Sequence, residues 1–102
     1  MPRAKYKLPD SVPILGEDFT VKSEEMKDAA GDTMGGHRRI RIDFSDHDSQ
    51  DEVESTLLHE TMHAILYVSG VSNLLEENVE EAIIVALEHG LHKLYARREH
   101  SE

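Results

Sequence analysis

The sequence predicts an α+β domain in which a small sheet precedes two helices. Three observations carry this. The run Arg38-Arg39-Ile40-Arg41-Ile42-Asp43-Phe44 alternates charged and apolar side chains at period two, the pattern of a strand with one buried face. A stretch opening at Ser49 and closing near Gly70 reads as an amphipathic helix, and from Leu74 to Tyr95 apolar residues return at helical spacing. Strands followed by helices, rather than alternating with them, give the α+β class.

Along the chain, Pro9, Pro13 and Gly16 punctuate the first segment, and Phe19-Thr20-Val21-Lys22 then has the aromatic and β-branched content of a short strand. Gly31, Gly35 and Gly36 mark turns before the strand Arg38 to Phe44, which directs Ile40, Ile42 and Phe44 to a core and its arginines to solvent. Ser49-Gln50-Asp51-Glu52 is a capping box, with the Ser49 hydroxyl on an orphan backbone N–H and Glu52 reaching back to the cap. Gly70 supplies the left-handed residue that closes this first helix. On the second helix Ile83, Ile84, Leu87, Leu91 and Leu94 form a stripe expected to be core, and the charged tail from Ala96 onward, 97–102 above all, is expected to fray. There is no internal repeat and no long linker, so residues 1–102 read as one domain.

Composition narrows the function. The chain carries 21 acidic and 11 basic residues, a net charge of −10, which disfavours a phosphate-tracking surface and hence nucleic acid as a partner. It has no cysteine, so a metal would have to be held by histidine and carboxylate. The basic N-terminus leads into no apolar run of signal or membrane length, and the expectation is a soluble, cytoplasmic protein without a membrane partner.

The first helix carries His59-Glu60-Thr61-Met62-His63, an H-E-x-x-H pentapeptide. Residues four apart on a helix stand one above the other, so the two imidazoles can converge on one zinc, while Glu60 points to the side, where a general base acts on an attacking water. A catalytic zinc needs a third protein ligand. The second helix offers Glu76, Glu77, Glu80, Glu81, Glu88, His89 and His92. Helical phase puts Glu80 nearest the centre of the apolar stripe and Glu81 about a quarter turn aside, and leaves both standing. A capping role competes for Glu81, because Asn78-Val79-Glu80-Glu81 resembles a cap followed by acids. His89 and His92 read as a solvated helix face. His37, His47, Tyr67 and Tyr95 could stabilise an oxyanion, although tyrosines at helical core edges usually pack.

The segment HETMHAILYVSG followed by EEAIIVALEHGL resembles the small H-E-x-x-H proteins of phages and mobile elements, which look like miniature gluzincin metallopeptidases. The resemblance implies zinc held by His59, His63 and Glu81, with Glu60 as general base in hydrolysis of a protein or peptide substrate. It also implies a substrate lying extended along an edge strand, here Arg38 to Phe44 or its neighbour. The acid that larger gluzincins place four residues after the glutamate ligand has no counterpart, since Val85 follows Glu81 and Ile84 follows Glu80 at that distance. With no second lobe in so short a chain, a second copy (a homodimer), a protein partner or a self-inhibiting segment would complete the cleft. The alternative is a catalytically inactive, zinc-stabilised interaction module, in which an intact Glu60 has no purpose.

Overall fold

The computed structural model describes residues 6–100, the side chains at 92, 93 and 95–100 excepted. Strand β1 (Ser11–Ile14) turns at Leu15-Gly16 into β2 (Glu17–Ser23), and Ile14 faces Glu17 across the turn. A two-residue hairpin loop of type I′ needs positive φ at both central positions, and Leu15 and Gly16 have φ of 50° and 86°. Pro13 lacks an N–H to donate and is tolerated because β1 lies at the sheet edge. Strand β3 (Gly31–Met34) and strand β4 (Arg39–Ile42) complete a four-stranded sheet of order β1-β2-β4-β3. The β2–β4 pair is parallel, with Val21 opposite Ile40, and the other two pairs are antiparallel. The α+β class is therefore observed, with four strands before the helices.

The pattern of the fourth strand holds over a shorter range than the alternation suggests. Ile40 and Ile42 are fully buried, and Phe44 still packs, partly buried, against the same core although it opens a 3-10 turn, with the Asp43 side chain accepting from the Ser45 N–H. Arg41 is drawn into ion pairs with Asp32 and Glu24, whereas Arg38, paired with Glu17, and Arg39 lie exposed as expected.

Helix α1 (Gln50–Ser69) lays Val53 and Ala64 on the sheet residues Ile14, Phe19, Val21, Ile40 and Ile42, with Leu57 and Val68 packed alongside. Its start follows the capping logic with one change. The Ser49 hydroxyl accepts the Glu52 N–H at 3.1 Å, but Glu52 reaches back to the Asp48 N–H at 2.8 Å, one residue before the cap. Gly70 closes the helix at φ 87°. After a 3-10 turn over Val71–Leu74, α2 (Glu77–His100) runs back along α1.

The expected core stripe of α2 is not a core. Ile84 is fully buried, but Ile83, Leu87, Leu91 and Leu94 are 40%, 49%, 38% and 55% exposed. The reason is geometric. The helix leans on α1 along one line of residues four apart, Glu80, Ile84 and Glu88, and among the described residues no second layer covers its flank. Helix α2 continues to His100, so the expectation of a fraying tail falls on side chains and on residues 101–102 that lie outside the described ones. Among the described residues, no helix is long and apolar enough to cross a membrane.

Candidate metal centre

Mid-way along α1 the sequence commits one turn to polar groups, with His59 and His63 on the α2 side and Glu60 turned under the sheet edge. The two rings lie with centroids 5.1 Å apart. Glu81 of α2 spans them: its Oε2 is 3.3 Å from His59 Nε2 and its Oε1 is 3.0 Å from His63 Nε2. One ligand atom from each of the three residues falls within 4.8 Å of the others.

The opposite ring nitrogens are also engaged. His59 Nδ1 is 2.8 Å from Glu88 Oε1, and His63 Nδ1 is 2.7 Å from Glu80 Oε2. An ionised carboxylate only accepts, so both Nδ1 atoms donate and the Nε2 lone pairs are turned toward the Glu81 carboxylate. Lone pairs facing a carboxylate repel unless a cation lies between them, either a proton or a metal. Four-coordinate zinc with arms of roughly 2.0–2.2 Å separates its ligand atoms by about 3.4 Å; here each Nε2 lies 3.0–3.3 Å from a different Glu81 oxygen, and one atom from each residue falls within 4.8 Å of the others. The donor set His59, His63 and Glu81 could hold a metal ion such as zinc, and Glu80 and Glu88 lie where carboxylates would orient the two imidazoles.

Burial and charge act in opposite directions on these groups. Burial opposes the charged form of His59, but the Glu88 hydrogen bond and the charges of Glu60, Glu81 and Glu88 outweigh it and raise the imidazole above its ordinary value. Burial likewise pushes Glu80 and Glu88 up, and is overcome for Glu80 by His63 and Ser72, and for Glu88 by Ser55 and His59, so both carboxyls titrate low.

Glu60 is buried, and burial is the leading cause that raises its carboxyl above the usual range; the Thr33 hydrogen bond and the two histidines oppose this. Thr33 of β3 places its hydroxyl 2.8 Å from Glu60 Oε1 and 2.9 Å from the Glu60 carbonyl oxygen. Strand β3 is the sheet edge, and its residues Gly31, Asp32 and Thr33 wall one side of a cleft of about 420 Å³ that holds His59, Glu60 and His63. Of the two strands the resemblance offered for a substrate, β4 is interior and paired on both sides, whereas its neighbour β3 has a free edge among the described residues. At the end of β3, Gly35 lies against the Tyr67 ring so closely that a Cβ would come within 2.6 Å of it.

The structure thus brings His59, His63 and Glu81 together with Glu60 beside them, and puts Glu80 behind His63. Glu80 is the more buried acid, at 13% side-chain exposure against 51% for Glu81, as phase indicates. Asn78 lies inside the first turn of α2, whose opening N–H groups of Val79 and Glu80 bond to the Glu76 carbonyl, so a capping box does not account for Glu81. His47 is buried, with Nδ1 2.6 Å from the Asp43 carbonyl oxygen and Nε2 2.8 Å from the Thr56 hydroxyl, and is a packing residue rather than an oxyanion donor. His37 is exposed outside the cleft and His89 is exposed on α2; Tyr67 lines the cleft, and the side chains of His92 and Tyr95 are outside the described ones. Sequence reasoning assigned no part to Thr33, which stands among turn glycines with no signal of its own. It left the role of Glu88 open, although the line Glu80, Ile84, Glu88 at intervals of four places that acid on the face toward α1. Compared with known proteins, the chain matches no family model, no curated protein and no solved structure.

Proposed function

We propose that this chain is a zinc-dependent peptidase acting in the cytoplasm, with His59, His63 and Glu81 as metal ligands and Glu60 as general base. The observation that carries the reading is the pairing of roles on each imidazole: Nδ1 committed to Glu88 or Glu80, and Nε2 turned to Glu81. The resemblance to miniature gluzincins supports the same assignment.

Zinc at this position supplies Lewis acidity, which polarises a carbonyl and lowers the pKa of a water. Glu60 accepts a proton from the attacking water as its oxygen bonds to the scissile carbonyl carbon, and returns that proton to the amine nitrogen as the C–N bond breaks. Thr33 holds Oε1 of Glu60, which leaves Oε2 to work. The free edge of β3 offers backbone groups to an extended peptide laid along it. In an inactive zinc-stabilised module, by contrast, a buried Glu60 costs stability and serves nothing.

The test uses zinc-reconstituted protein and a peptide library read by mass spectrometry. Cleavage is expected in the wild type, with Glu60→Gln retaining zinc and losing about 10² to 10⁴ in rate. Equal cleavage by the variant, or no zinc bound by the wild type, overturns the reading.

A further inference from the structure

Helix α2 also turns to solvent an apolar flank that adjoins its line of contact with α1. Val79, Ile83, Leu87, Leu91 and Leu94 are 43%, 40%, 49%, 38% and 55% exposed. Their spacings of four, four, four and three put them on one face of a straight helix, whose centre lies about 140° around the axis from Glu81. A contiguous apolar stripe of this kind on a surface helix marks an interface.

Three features say what covers it. The stripe is close to symmetric about Leu87, with Ile83 and Leu91 four residues to either side, Val79 eight before and Leu94 seven after. A two-fold axis at Leu87 would therefore set the stripe against its own copy, as an isologous interface requires. Charge fixes the direction. Glu76, Glu77, Glu80 and Glu81 crowd the N-terminal end of α2, while Lys93, Arg97 and Arg98 against Glu99 make its C-terminal end basic. That distribution suits the dipole of the single helix, and in an antiparallel pair it also sets each acidic end beside a basic one, whereas a parallel pair would stack like charges. The length is sufficient too. A helix of 24 residues is about 36 Å long and offers a footprint of several hundred Å², the order of the ~800 Å² per partner of a standard interface.

We propose that two copies of this chain associate through their α2 helices, packed antiparallel about Leu87, with the His59, His63 and Glu81 cluster of each copy to the side of the seam. The proposal depends on neither zinc nor hydrolysis.

Sedimentation velocity of the full chain at about 100 µM, a concentration that saturates a micromolar dimer, should give twice the 11.6 kDa of one chain. Leu87→Glu should sediment as a monomer. Because Leu87 is exposed and outside the metal cluster, that variant should keep the wild-type circular dichroism and zinc content. Arg97→Glu with Arg98→Glu should weaken the dimer about tenfold at low salt, and adding Glu76→Arg with Glu77→Arg should restore it. A monomeric wild type, whether alone or because a different protein takes the stripe, overturns the proposal, as does a folded Leu87→Glu that remains dimeric. Failure of the charge swap to restore affinity overturns the antiparallel order.

Discussion

Two adjacent glutamates on α2 meet different nitrogens of the histidine pair, and a one-atom change in each tests the role proposed for it. Glu81→Gln removes the carboxylate that faces both Nε2 atoms and is expected to lower zinc affinity severely. Glu80→Gln keeps a group beside His63 Nδ1 but lets the ring choose its tautomer, at a cost of about 10- to 100-fold in affinity. Titration against a competing chelator measures both, and a larger loss for Glu80→Gln would reverse the two assignments. Glu60 has its own signature in metal-free protein. Its folded pKa is raised by burial, so the charged form costs stability above that pKa and the cost disappears as pH falls through it. Glu60→Gln should therefore melt higher than the wild type at neutral pH and no higher in acid. The motif made His59, Glu60 and His63 legible because three fixed positions on one helix imply three directions. The place of Glu81 beside the two imidazoles needed a resemblance, because it depends on how far α2 is rotated against α1, which no local pattern states.

Among elements, the β1–β2 hairpin was the least visible in sequence, because Leu15 stands where a type I′ turn prefers Asn or Asp and so hides the signal. Its strain is local: Leu15 holds φ 50° while 62% exposed. Leu15→Asn should stabilise the domain by about 0.5–1 kcal/mol, measured as a shift in the urea midpoint at constant slope. Strand β3 was equally hidden, read as a turn because Gly31 and Gly35 bracket it; Gly35 is required by the Tyr67 ring rather than by a chain reversal. Helix α1 was legible at both ends, since Ser49 and Gly70 act where their chemistry dictates. The apolar stripe of α2 located a helix correctly but not its partner, because periodicity reports one apolar face and is silent on what meets it.

For the molecule as a whole, the sheet and the inner face of α1 form the core, and α2 is joined to it by Ile84 and by hydrogen bonds from His59, His63 and Ser55 to its glutamates. A metal bound at that junction would contribute directly to folding. With free zinc about a thousandfold above its dissociation constant, the gain is about 4 kcal/mol, which for a domain of this size is a rise in melting temperature on the order of 15–30 °C. Calorimetry with and without a chelator checks it; an unchanged transition would show that Ile84 and the carboxylate pairs suffice.

The division of the cluster between helices has a consequence for biosynthesis. In the sequence, Thr33 and the H-E-x-x-H turn precede α2, which carries Glu80, Glu81 and Glu88. A chain leaving the ribosome folds its sheet and α1 first, and during that interval His59 and His63 face no carboxylate from α2. On the proposed function, hydrolytic competence would therefore arise only once α2 has emerged and docked on α1, so a chain stalled before α2 would be a harmless one.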